Sequence, residues 1–288
     1  SVAKQRAGGM SEGRIYAKIV RRGLTLVVLG MVYNGLFKLD FENLRIASVL
    51  GRIGLAWSIA AVLYLNFGVK TRAAIAVAVL AGYGALSALV AAPDAAGAGP
   101  LTFEGNLAGY IDRQFLPGKL IYGSFDPEGL LSTVPAVVTA MLGMFTGEFV
   151  RRGDIRGGRK TLWMAAAAAA LLAAGLALSG VLPVNKKLWS STFVCVVGAY
   201  SLGMFALFYY LIDVRGWRRW TLFFRVVGLN SITIYLAQRI VGFGRISDFF
   251  LGGIASKCPE AVAAVISSAG YVAVCWLFLY FLYRKNVF

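Results

Sequence analysis

Apolar residues in this chain gather into long unbroken runs; they neither alternate nor recur on one narrow face. Eight runs, near 19–37, 46–67, 73–92, 130–150, 161–182, 189–212, 221–243 and 262–283, have the roughly 17–25 residues a helix needs to cross ~30 Å of hydrocarbon. Open β-structure is excluded from lipid because its edge groups go unpaired there. The pattern therefore predicts an all-α integral membrane fold, a polytopic bundle of about eight transmembrane helices forming one domain over 1–288. One long polar stretch, 93–129, interrupts it. Its first part, PDAAGAGPLTFE, reads as a flexible connector, and Gly105 to Gly129 (GNLAGYIDRQFLPGKLIYGSFDPEG) is too long and too aromatic for a simple turn. A loop of that length is functional or disordered, and its Tyr, Phe and Leu content predicts order.

Composition supports the membrane reading, with 59% hydrophobic residues and a mean hydropathy of +0.72. The net charge of +16 is a matter of topology. Nineteen of the 29 Lys and Arg residues, from Lys4, Arg6 and Arg14 to Arg284 and Lys285, fall on one set of alternate connections. Eight fall on the other, and Arg52 and Arg239 lie inside runs. Positive residues favour cytoplasmic loops, so both termini of the segment are expected in the cytoplasm and the 93–129 loop outside. A nucleic-acid binder would gather its charge on one soluble face, and no nucleic-acid partner is expected. Cys195 and Cys275 lie in runs and Cys258 in an outer connection, which implies no disulfide framework. The chain opens at Ser1 on a basic segment without a signal-peptide pattern, which predicts that a longer polypeptide precedes it.

Candidate chemistry starts at Asp126-Pro127-Glu128-Gly129. Asp is a good N-cap, Pro suits the first helical position and Glu complements the helix dipole. That reading leaves Asp126 and Glu128 open to a second role. Arg52 lies about 9 Å into the second run at 1.5 Å per residue. It either snorkels outward or pairs with Glu128 or Asp126, since a charge at such depth faces a partner. Asn230, Ile234 and Gln238, with Ser231, Tyr235 and Arg239 one step round, put a polar stripe on one helix face, expected to look inward as a channel lining or as interhelical glue. Gly143 and Gly147 predict close helix approach. The Pro183–Ser190 connection, PVNKKLWS, is either helix stop and aromatic belt or, through Asn185 and Lys186, a sugar contact. The chain has no histidine, so a general base within it must be a carboxylate. No cluster has metal-ligand spacing, and no metal is expected. No internal repeat points to an inverted-repeat transporter.

NLAGYIDRQFLPG, FDPEGLLSTVPAVVTAMLGMFTG, LPVNKKLWSSTFV and GLNSITIYL, with LRIASVLGRIGLAW upstream, closely resemble the heparan-α-glucosaminide N-acetyltransferase family and its bacterial membrane homologues. The resemblance covers most of the chain, in the family's order. It implies an acyltransferase of the bacterial inner membrane that moves an acetyl group from cytoplasmic acetyl-CoA to the amine of a glucosamine-like sugar or glycan on the far side. Asp126 and Glu128 would orient or deprotonate the acceptor. Tyr110, Asp112, Arg113, Asn185 and Lys186 would line the sugar side, and Arg52 and Asn230 the core channel. Arg151, Arg152 and Arg156, with Arg159 and Lys160, would meet CoA phosphates, although positive-inside retention explains each alone. The family suggests a homodimer. Its members carry a histidine in the first outer loop, between two N-terminal helices. This chain has neither, which fits a chain lacking its N-terminal helices. The rival readings are a small-solute transporter or channel and an inactive homologue.

Overall fold

The structure, a computed structural model, describes residues 8–287. Ser1, Lys4 and Arg6, which enter the topology reading above, lie outside these. The chain divides into two compact units, Ser1–Val214 and Arg215–Phe288.

In the first unit, α1 (Glu12–Tyr33) is followed by a 3-10 turn at Leu36–Lys38, α2 (Val49–Asn66), α3 (Val69–Leu89), the short α4 (Leu107–Phe115), α5 (Leu130–Val150), α6 (Gly157–Ala177) and α7 (Ser191–Tyr209), which a π-helical turn at Tyr210–Val214 prolongs. Small residues let these helices close on one another. A Cβ on Gly54 of α2 would stand 2.7 Å from the Gly23 carbonyl oxygen of α1. The buried core joins α2, α3, α5 and α7 through Ala56, Ala60, Ala76, Ala136, Val138 and Val194, the small-residue packing that substitutes for a hydrophobic driving force in lipid. Gly143 and Gly147 do not take part. Nothing lies within 4 Å of a Cβ on either, so the expected close approach there is corrected: the α1–α2 crossing carries it.

The second unit holds α8 (Leu222–Leu229), α9 (Ser231–Ile240), α10 (Phe243–Ala255) and α11 (Glu260–Arg284), packed around Ala237, Phe243 and Cys275. α8 and α9, the expected seventh span, are bent by 62° at Asn230. The expected inward-facing polar stripe is not seen: Asn230, at the bend, is buried, whereas Ser231, Gln238 and Arg239 of α9 are exposed.

The protein is an all-α polytopic membrane protein. Six described helices are long and apolar enough to cross a membrane, and the bent pair would make seven. The difference from eight lies in α1, whose first half carries Arg14, Lys18, Arg21 and Arg22.

The 93–129 stretch is ordered at its centre. Asn106 caps α4 by accepting a hydrogen bond from the Gly109 N–H (2.7 Å). Isolated antiparallel bridges tie Ala91 to Asn106 and Arg45 to Gly118, so the loop's backbone is anchored at both ends of α4.

Candidate functional site

At the loop end of the first unit, Arg45, from the α1–α2 connection, reaches the Asp126-Pro127-Glu128 turn. Its Nε donates to Asp126 Oδ2 (2.7 Å) and its Nη2 to Asp126 Oδ1 (2.6 Å), a two-pronged match of planar fork to carboxylate. Nη2 also contacts Glu128. Burial alone would raise the Asp126 carboxyl, but the Arg45 hydrogen bonds and charge outweigh it and hold it below the usual carboxylate range. Arg45 is raised above its ordinary value: burial lowers it, and Asp126 and Glu128 more than offset that.

Asp126 does not cap α5. The helix begins at Leu130, where its apolar run places it, with Gly129 as its N-cap, and Asp126 instead accepts from the Glu128 N–H (2.9 Å) and closes a tight turn. The cap comes from Asp112 of α4, which is fully buried. Asp112 accepts from the N–H groups of Leu130 (2.9 Å) and Asp126 (3.2 Å). Burial pushes its carboxyl up to about 6 against those two hydrogen bonds. With both oxygens used and no exposure, Asp112 does not line a sugar site as expected. It fastens α4 to the start of α5.

Arg52 pairs with neither Asp126 nor Glu128, contrary to expectation, because Arg45 already occupies both. In α2 and 5% exposed, it donates from Nη2 to Ser132 Oγ (2.6 Å), and its guanidinium carbon lies 4.6 Å from the centre of the Trp189 ring. Its Nε and Nη1 have no hydrogen-bond partner. Trp189 reaches this position through a left-handed backbone, φ 52°, a conformation that disfavours side chains. The indole N–H donates to Thr139 Oγ1 (3.2 Å), and the Tyr83 hydroxyl of α3 donates to the neighbouring Leu188 carbonyl.

Below this cluster lies a cavity of about 510 Å³. Arg52, Glu128, Ser48 and Thr133 line it, while its remaining walls, from α2, α3 and α5, are apolar and include Leu55, Ile59, Val79 and Met141. A mostly apolar pocket with a few convergent polar groups is the usual form of a small-molecule site.

The other expected residues are spread out. Arg113 is held by Asp94 (2.6 and 2.8 Å) and the Ser124 carbonyl (2.5 Å), a bracing role within the loop. Asn185 Oδ1 accepts from the Lys187 N–H (2.8 Å) and shapes the 183–190 turn. Lys186 is exposed and Tyr110 half-buried. Asn230 belongs to the second unit, at the helix bend, with both amide atoms unpartnered. Arg151, Arg152 and Arg156 lie past the far end of α5, ~30 Å along a 21-residue helix. Arg152 pairs with Asp154 (2.5 Å), and Arg156 is exposed. Among the described residues, no three His, Cys, Asp or Glu side chains converge to hold a metal ion. Sequence reasoning missed Arg45, Ser132 and Trp189. Arg45 and Ser132 sit inside motifs named above, but nothing in their spacing shows that residues 80 or 81 positions apart meet.

No family model matches the chain. It is 26% identical to human (Homo sapiens) heparan-alpha-glucosaminide N-acetyltransferase over an alignment of 334 residues, which covers 97% of this chain and 50% of that protein. To the mouse (Mus musculus) protein of the same name it is 28% identical over 202 residues, 64% of this chain and 30% of that protein. The chain thus spans about half the length of the human relative. Together the two matches support assigning the chain to the family of the heparan-alpha-glucosaminide N-acetyltransferases.

Proposed function

We propose that the chain is the membrane domain of an acyltransferase that moves an acetyl group from cytoplasmic acetyl-CoA to the amine of a glucosamine-like sugar on the outer side of a bacterial inner membrane. The observation that carries this reading is the similarity to two N-acetyltransferases, which in the human case runs along nearly the whole chain. The basic α5–α6 connection, with Arg151, Arg152 and Arg156, supports a cytoplasmic face there and a place for the CoA phosphates. The Arg45–Asp126–Glu128 cluster would then face outward.

The chemistry is attack of the sugar amine on a thioester carbonyl or an acetyl-enzyme, with a base taking the amine proton and donors stabilising the oxyanion. The C–N bond forms as the carbonyl's bond to the CoA sulfur, or to the enzyme group, breaks, and that group leaves with a proton. Of the two carboxylates, Asp126 is 1% exposed and gripped by both prongs of Arg45, so its part is to position. Glu128 lines the cavity and is the one able to meet the acceptor amine. Tyr110, Asn185 and Lys186 supply hydroxyl, amide and ammonium groups for the sugar.

The test is acetylation by the full-length protein in liposomes, supplied with radiolabelled acetyl-CoA and glucosamine. Labelled N-acetylglucosamine is expected, with a loss of at least tenfold in Glu128→Gln. A protein that neither binds CoA nor labels any amino sugar ends the enzyme reading.

A further inference from the structure

The cavity has two properties that an acceptor sugar at Glu128 does not account for. One is a long bare hydrocarbon wall. From Arg52 to Leu63, α2 lines it for ~17 Å at 1.5 Å per residue. The side chains facing it over that length, among them Leu55, Ile59, Leu63, Val137 and Met141, offer no donor and no acceptor. A pantetheine arm laid along this wall would leave its amides buried and unpaired, which is costly. A saturated chain has nothing to leave unpaired.

The other is the state of Arg52 at the polar end. Among the described residues it makes no ion pair, Ser132 is its one hydrogen-bond acceptor, and two of its nitrogens have none. A cation buried in a membrane helix is costly without a counter-charge. Glu128, Asp126 and Asp112 lie near enough for their charge to act on Arg52, but none is in ion-pair contact with it: Arg45 holds Asp126 and Glu128, and Asp112 is taken up by backbone N–H groups.

We propose that this cavity binds a single-chain anionic amphiphile: a lipid-borne phosphate whose head pairs with Arg52 and whose alkyl chain lies along α2 and α5. A neutral lipid would fill the wall and leave the free Arg52 Nε and Nη1 donors without an anionic acceptor, and a soluble phosphate would meet those donors and leave the wall empty. The inference does not depend on the acetyltransferase reading.

Thermal unfolding of the purified full chain in neutral detergent tests it, with dodecyl phosphate as the probe. Binding to the folded state alone raises Tm. Dodecyl phosphate is expected to raise Tm by several degrees, and dodecyl maltoside, dodecyltrimethylammonium and inorganic phosphate are expected not to. Arg52→Gln should abolish the shift. Ile59→Trp, at a wall position 47% exposed, should abolish it while leaving the unliganded Tm near the parent's. Equal shifts from the neutral or cationic amphiphile, a full shift from inorganic phosphate alone, or an undiminished shift in either variant would overturn the proposal. Should Arg52→Gln fail to fold, Ile59→Trp and the probe series decide it.

Discussion

The carboxylate of Asp112 occupies the space where a side chain on residue 129 would stand. A Cβ at Gly129 would collide with both Asp112 oxygens, and the adjacent Leu130 N–H is one of the two groups that carboxylate accepts from. Gly129→Ala should therefore push Asp112 off the start of α5 and cost roughly 1–3 kcal/mol, the range for overpacking a well-filled site. Denaturant or thermal unfolding in detergent reads this directly. A Gly129→Ala protein as stable as its parent would mean that the two residues are not in contact.

Arg45 neutralises two carboxylates that stand two residues apart. Arg45→Ala leaves Asp126 buried without a partner, and the loss is expected to be on the order of 3 kcal/mol. Arg45→Lys should recover only part of it, because an ammonium cannot reproduce the forked contact. Full recovery by lysine would show that charge alone matters here.

Trp189 gives a prediction with an unusual order. Removing the ring takes the cation–π cover from Arg52, worth about 2 kcal/mol where water is excluded, so both Trp189→Ala and Trp189→Gly should destabilise. Glycine adopts a positive φ freely, whereas alanine pays ~1–2 kcal/mol for it. Trp189→Gly should thus be the milder of the two. If alanine proves milder, the left-handed backbone at 189 is not what holds the ring in place.

The loop also has a pH signature. The folded-state value of Asp112 is raised, to about 6, so its contribution is fully present below its ordinary value of ~4 and is lost as pH rises through 6. Asp126 is depressed, so its contribution is present above ~4 and lost as pH falls through its lower folded value. Protection of the Leu130 amide against hydrogen exchange, corrected for intrinsic rate, should decline from pH 4 to pH 7. Asp112→Asn should remove that slope. A flat profile in the parent protein would contradict the assignment.

Span positions and fold class were legible because lipid imposes one length and one composition on every crossing helix. α2, α3, α5, α6 and α7 lie close to where the apolar runs place them. The order within Gly105–Gly129 follows from its Tyr, Phe and Leu content. What could not be read is which distant residues meet. Arg45 and Arg52 are seven residues apart in one motif, and sequence depth favoured Arg52 as partner for Asp126. The structure gives that role to Arg45 because the connection before α2 folds back over the turn. Likewise Asp112 and Asp126 both looked available, and tertiary contacts spend one on a helix start and the other on an arginine.

The 183–190 connection runs on the surface, where insertions and deletions are ordinarily absorbed. Here it is pinned at consecutive residues, Leu188 by the Tyr83 hydroxyl and Trp189 by Arg52 and Thr139. Adding or removing one residue would carry the indole away from a charge buried in α2. The permissible length of this surface loop is therefore set by the interior of the bundle.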